Sequence, residues 1–177
     1  GVYDHAIPKA VHALTARGEF LTAYTPYQPE AAQGTLQAIF EYQPAVCRLF
    51  DMDVANASLY DGGSGLFEAA MMAVRAKKGW HLVVDEGVNP LYRQMLATLT
   101  ANLPVRVTAV AHKNGRPDMA ALEGAMEDET SAIIVQNPNF FGIVSDYGPL
   151  FAKAGERDVC RIMSVNPVMA SVLKTPG

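Results

Sequence analysis

Long hydrophobic runs are missing from this chain. No stretch approaches the roughly 18 apolar residues that cross a bilayer, and no basic-then-apolar leader opens the sequence. A membrane is therefore not an expected partner. Cysteine is scarce, with Cys47 and Cys160 far apart and without metal-type spacing. That excludes a disulfide-stapled scaffold and fits free thiols in a reducing cytoplasm. The four histidines, His5, His12, His81 and His112, are scattered, with no partner at i+4. No metal site is expected from them. Charged residues make up only 18% of the chain and the net charge is -4, which argues against nucleic acid as a partner. Internal repeats, low-complexity segments and a Gly-x-Ser-x-Gly nucleophile elbow are also lacking.

What is present is core-forming material. Half of the 177 residues are apolar, enough for one domain or a piece of a larger one. Gly1-Val2-Tyr3 and Lys174-Thr175-Pro176-Gly177 both read as cut ends, so a fragment of a longer chain is expected.

Three short apolar runs have strand character: 81–84, 105–110 and 131–135. A fourth is expected at 160–165. Helical spacing separates them. Leu91, Met95, Leu96 and Leu99 share a face after Pro90, Asp118 can cap a helix carrying Met119, Leu122 and Met126, and a further helix spans about Tyr147 to Glu156. The alternation implies right-handed crossovers and an α/β fold, a mostly parallel sheet flanked by helices. In such sheets ligands collect beyond the carboxyl ends of the strands.

The first third is helical, from about Glu30 to Phe50, with Leu36, Ile39, Phe40, Gln43, Val46, Cys47 and Phe50 on one face. Pro44 should bend or break it near Phe40 to Gln43. The expected organisation is an N-terminal helical segment over 1–53, with a functional loop at 22–30, and a partial α/β domain over 54–177. Together they form one truncated domain.

Three stretches are candidates for chemistry. In the first, a short strand at 54–57 leads into Asp61-Gly62-Gly63-Ser64-Gly65 and a helix from Leu66 to Lys77. Small residues there leave helix amides open to an anion, although an ordinary capped helix start explains the same residues. Asp61 also opposes a tightly held phosphate. The second is "VQNPNFFG", 135–142, where Asn137 follows a buried strand and can bond a ligand or simply make a turn. The third is "TAYTPYQPEAAQGTL", 22–36. Pro26 and Pro29 stiffen it, and Pro29 suits the first helical position. The prolines leave Tyr24, Tyr27, Gln28 and Gln33 unexplained. Met71, Met72, Met119 and Met126 read as packing.

The blocks "EFLTAYTPYQPEAAQGTLQAIFEYQ" and "MDVANASLYDG", with "GVYDHAIPKAV", "VQNPNFFG" and "VLKTPG", cover essentially the whole chain in order. In these the sequence resembles the glycine dehydrogenase (decarboxylating) family, the P-protein of the glycine cleavage system, in the manner of subunit 1 of its two-subunit bacterial form. The resemblance implies the large domain of a pyridoxal-phosphate fold type I (aspartate aminotransferase-like) protein. It implies decarboxylation of glycine and transfer of the aminomethyl group to the lipoyl arm of a carrier protein, the H-protein. It also implies glycine dehydrogenase subunit 2 as a partner that holds the pyridoxal phosphate and its lysine, while this chain supplies pocket walls. Tyr24, Thr25 and Tyr27 would then lie near glycine, with Gln28 and Glu30 in support. Asp61, Gly62, Gly63, Ser64 and Asn137 would be remnants of a cofactor site.

Three departures bear on that reading. The chain stops before the family's cofactor lysine, Asn166 stands where fold type I proteins usually carry an aspartate, and Asp61 sits in the phosphate loop. Under the resemblance a fragment alone would be inactive. Two alternatives stand beside it: a self-sufficient pyridoxal-phosphate decarboxylase or aminotransferase, and a non-catalytic scaffold subunit.

Overall fold

The strand Thr130–Asn137 is buried along all but its last residue, and the other strands are arranged around it. A computed structural model describes residues 4–21, 25–77 and 79–177. In chain order the regular helices and strands are α1 (Lys9–Thr15), α2 (Gln33–Phe50), α3 (Gly62–Lys77), β1 (His81–Asp85), α4 (Pro90–Thr100), β2 (Arg106–Val110), α5 (Met119–Gly124), β3 (Thr130–Asn137), α6 (Gly148–Glu156) and β4 (Cys160–Val165). The backbone divides into two compact units, 1–58 with 175–177, and 59–174. The division expected from the sequence fell after Asp53.

In the second unit the four strands run in the order β2-β1-β3-β4, and every pairing is parallel. Alternation along the two central strands feeds two separate cores. Leu82 and Val84 of β1 and Ala132 and Ile134 of β3 pack against Leu66, Ala70 and Val74 of α3 and Leu96 of α4. Their neighbours Val83, Ile133 and Val135 face Leu122 of α5 and Leu150 and Ala154 of α6. Both faces of the sheet are thus covered, which is why the central strands read as unbroken apolar runs. After β1 the chain moves outward through α4 to β2, then returns past β1 to β3. The strand order therefore reverses between β1 and β3, the place where an open parallel sheet leaves a crevice at its carboxyl edge.

The first unit differs from expectation in three ways. No strand forms at 54–57; the Ala55 carbonyl accepts a hydrogen bond from Gln43 Nε2 at 2.5 Å, a side-chain contact rather than a strand ladder. α2 starts at Gln33 instead of Glu30, because 28–32 close on themselves as turns, Ala31 N to Gln28 O and Ala32 N to Pro29 O. Pro29 therefore belongs to the turn and not to the first helical position. Finally, α2 continues through Pro44 to Phe50 and ends at Asp51 in the left-handed region (φ 56°). Pro44 removes one helical hydrogen bond without ending the element. Among the methionines, Met126 is buried and Met71 and Met119 pack on the cores, but Met72 is 64% exposed. It is not a packing residue in this chain. Among the described residues no helix is long and apolar enough to cross a membrane.

His81 marks the amino end of β1 and is 1% exposed. Its Nδ1 lies 2.8 Å from Thr130 Oγ1 on β3, and its Nε2 lies 2.9 Å from Thr108 Oγ1 on β2. Thr130 Oγ1 already accepts from Glu127 N at 2.8 Å, so its own proton is free to be donated to Nδ1. The network therefore suits a neutral ring protonated on Nε2. Burial, helped by the Arg106 charge, holds the His81 pKa below its ordinary value, against the opposing pull of Glu127 and Glu129. A depressed histidine pKa means that the unfolded chain takes up the proton first. The stabilisation is present above about pH 6.5 and is lost as pH falls towards the folded value, with a slope of at most about 1.4 kcal/mol per pH unit. Urea unfolding of the full-length protein between pH 7 and pH 5 should show this loss. In His81→Gln that segment of the pH profile should be flat.

Candidate functional site

At the β1–β3 crevice the carboxyl ends of the strands carry four buried polar side chains: Asp85, Asn89, Gln136 and Asn139. Each is engaged within the chain. The Asp85 carboxylate accepts from Gly87 N at 2.9 Å and from the Tyr147 hydroxyl at 3.1 Å. Burial, with the adjacent Asp85 charge, pushes the Tyr147 pKa far above its ordinary value, so the phenol stays protonated as the donor. Gln136 Oε1 accepts from Asn89 N at 2.8 Å, and its amide donates to Pro138 O at 3.2 Å. Asn89 Oδ1 caps α4 by accepting from Leu91 N at 2.9 Å.

Asn139 is the hub. It is 2% exposed and donates from Nδ2 to Gly115 O at 2.7 Å on the loop after β2. Its Oδ1 accepts from both Phe141 N and Ile143 N at 3.0 Å. The next amide, Phe140 N, donates to Gly87 O at 2.7 Å on the loop after β1. Loops from three strands are thus tied together where a ligand would otherwise enter. His112 closes the same side, edge-on to Phe141 with ring centroids 4.7 Å apart.

The residues expected to be remnants of a cofactor site are occupied in the same way. Asp61 Oδ1 accepts from Ser64 N at 2.7 Å, and these bonds to Ser64 hold the Asp61 pKa below the usual carboxylate range. A carboxylate therefore stands at the amino end of α3, where an anion would bind. Gly62 and Gly63 are helical, whereas the sequence placed the start of this helix at Leu66. They are small because α4 lies close: a Cβ on Gly62 would fall 2.4 Å from Tyr92 Oη, and one on Gly63 would fall 2.7 Å from Met95 Sδ. The Asn137 amide spans Ser145, donating to its carbonyl at 3.0 Å and accepting from its amide at 3.2 Å. Asn166 Oδ1 accepts from Val168 N at 2.9 Å. Toward pyridoxal phosphate these groups are poorly suited: Asp61 puts a carboxylate beside the first amides of α3, and both amide atoms of Asn137 and the Oδ1 of Asn166 are bonded within the chain. No group of three metal-ligating side chains occurs among the described residues.

The remaining candidates lie in the first unit. Tyr24 falls outside the described residues. Thr25, Tyr27, Gln28 and Glu30 are all exposed. Tyr27 N donates to Thr25 O at 2.9 Å, closing a three-residue turn about Pro26 whose ring already restricts φ. Tyr27 is held out from this turn at 87% exposure. Glu30 lines a concavity with Gln33, Leu36 and Phe40 on α2.

Sequence reasoning missed Asp85, Gln136 and Asn139 as a network. The available signal was the placement of polar residues directly after two near-continuously apolar strand runs. Asn139 lay inside the block already singled out for Asn137.

The chain matches the family model described as the glycine cleavage system P-protein over residues 1–177. It is 62% identical over its whole length to a probable glycine dehydrogenase (decarboxylating) subunit 1 of Nitratidesulfovibrio vulgaris strain DP4. It spans 40% of the length of that curated relative. Among solved structures, a glycine decarboxylase (P-protein) of the glycine cleavage system in inhibitor-bound form superposes with a TM-score of 0.93 at 40% identity, covering all of this chain and 40% of the other. An aminotransferase from Eubacterium rectale superposes at 0.56 with 17% identity, over 89% of this chain and 42% of its own, a likeness of fold alone.

Asn139→Ala should destabilise the full-length protein by about 2–3 kcal/mol in urea unfolding, since it leaves the Gly115 carbonyl and two loop amides without their bonds. Phe141→Ala, at an exposed position, should cost less than about 1 kcal/mol in the same measurement.

Proposed function

This chain belongs to the glycine cleavage system P-protein family, and from that premise we propose that it is part of the first subunit of a two-subunit cytoplasmic glycine dehydrogenase. In this reading the whole enzyme decarboxylates glycine and passes the aminomethyl group to the lipoyl arm of a carrier protein. Pyridoxal phosphate supplies the electron sink for that chemistry when bound, and the partner subunit holds it together with its lysine. This chain supplies walls. Support comes from the strand-end face, where Asp61, Asn137 and Asn166 are each engaged by their own chain. Asp61, Gly62, Gly63, Ser64 and Asn137 are then remnants that shape the face without binding the cofactor.

The observation that carries the proposal is the turn at Thr25–Tyr27. A tyrosine at 87% exposure on a proline-fixed turn contributes nothing to the core of this chain and is preorganised to meet another surface. Its hydroxyl can donate to or accept from a small zwitterion. Thr25 and Gln28 add polar atoms on either side of it, and Glu30 sets a negative charge at the edge. Tyr24 completes the wall in this proposal.

Two measurements test it. Full-length protein mixed alone with pyridoxal phosphate should show no visible absorbance of a lysine-bound cofactor, which should appear only with the second subunit. A cofactor bound covalently by this chain alone would refute the division of labour. In the reconstituted enzyme Tyr27→Phe should lower glycine turnover at least about tenfold, the worth of one good hydrogen bond in the transition state. The assembly should stay intact by sedimentation. Turnover equal to the parent enzyme would assign the turn a purely structural role.

A further inference from the structure

Beyond β2 the chain makes a tight hairpin with Asn114 and Gly115 at its tip. Lys113 N donates to Arg116 O at 2.8 Å, and Arg116 N donates to Lys113 O at 3.0 Å. Asn114 and Gly115 both lie in the left-handed region, at φ 52° and 79°, which an Asn-Gly pair in a two-residue turn supplies at little cost. This pairing shapes the hairpin without attaching it to anything. Attachment to the segment after β3 runs through Gly115 and His112. Gly115 is buried, and its carbonyl accepts from Asn139 Nδ2 at 2.7 Å. Its Cα lies so close to that segment that a Cβ there would fall 3.3 Å from Ile143 Cδ1 and 3.5 Å from Phe141 Cγ.

His112 holds this arrangement from inside the loop. Gly115 N donates to His112 Nδ1 at 3.2 Å, and the ring stands edge-on to Phe141. An imidazole that accepts at Nδ1 is neutral and carries its proton on Nε2. A second proton therefore has one place to go, the lone pair that holds the Gly115 amide. Once it is there, two N–H groups face each other and the buried amide has lost its acceptor. The charges around the ring are mixed. Lys113 and Arg116 on the hairpin are cations, and Asp118 answers Lys113 at 2.6 Å. The segment 139–144, which touches the ring, carries no titratable group. On the loop after β1, Asp85 is taken by Gly87 N and Tyr147. Glu86, whose amide donates to Val110 O at 2.9 Å, adds a negative charge on that side, so a proton is not repelled from every direction.

We propose that His112 is a pH-sensitive latch: neutral, it fastens the 113–116 hairpin against Asn139 and Phe141, and protonated, it lets the hairpin go. Release removes the acceptor of Asn139 Nδ2. Asn139 Oδ1 keeps its bonds to Phe141 N and Ile143 N, and Phe140 N stays on Gly87 O. The change is therefore confined to the β2 side. It uses contacts within this chain alone, so it stands apart from the enzymatic reading. What it controls is the order of one loop at the carboxyl edge, where an open parallel sheet takes its ligands. Acid loosens that edge while the strands stay folded.

Hydrogen exchange of the full-length protein tests this from about pH 7.5 to about pH 5.5, the span in which an imidazole ordinarily changes charge. Rates are divided by those of unstructured peptides at the same pH. Protection of 111–117 should fall at least about tenfold, the worth of one bond at a buried amide, while β1 and β3 keep theirs. In His112→Asn the side-chain oxygen takes the place of Nδ1 and does not titrate, so protection there should stay level. A parallel fall in the parent and in His112→Asn would overturn the proposal, as would constant protection in the parent. A fall shared equally by 81–85 and 111–117 would assign the change to His81 and global unfolding, and overturn it too. Imidazole nitrogen resonances of the parent protein, labelled at histidine, need no substitution. Nδ1 of His112 should take up its proton over the same pH span in which 111–117 lose protection. A proton gained without that loss leaves the hairpin fastened and the latch refuted.

Discussion

A parallel strand buried on both faces leaves its polar ends as the place where backbone and side chains must be satisfied, and in this protein that constraint governs everything beyond the carboxyl edge. β3 lies between β1 and β4 with its apolar residues in two cores. Its run of buried residues ends in Gln136, Asn137, Pro138 and Asn139. These amides bond to the loops after β1 and β2 and to the start of the segment before α6. Each bond contributes modestly, but a missing partner at such depth costs more than the bond itself supplies. The loops are therefore fixed together at the point where the strand order reverses.

Much of the α/β layer was legible in the sequence because buried parallel strands and amphipathic helices leave strong periodic signals. Cys160–Val165 has the bounds its apolar run suggests, and Pro90–Thr100 and the Asp118 cap follow from local chemistry. The errors fall where a tertiary partner decides. Val54–Ala57 has β-type composition but no strand beside it, so its carbonyl went to Gln43 instead. Gly62 and Gly63 looked like a loop because small residues before a helix suggest an open anion site. Only the closeness of Tyr92 and Met95 shows that they are packing residues inside the helix. The site network was harder to see, since Asp85 and Asn139 are 54 residues apart in sequence and meet only through Gly87, whose missing side chain leaves both within close reach.

The two units illustrate different ways for a chain to acquire order. Residues 59–174 carry a double core around the two central strands. Residues 4–58 have helical periodicity, a proline-fixed turn and a left-handed helix stop at Asp51, yet none of their described side chains is fully buried. Local preferences thus specify the shape of this segment.

The Asp61 carboxylate is tethered three residues from the amide it binds. It therefore acts as an intramolecular competitor whose effective concentration exceeds the millimolar range. A soluble anion at this helix terminus competes with a carboxylate that already holds the Ser64 amide. The start of α3 is a lock with part of its key built into the door.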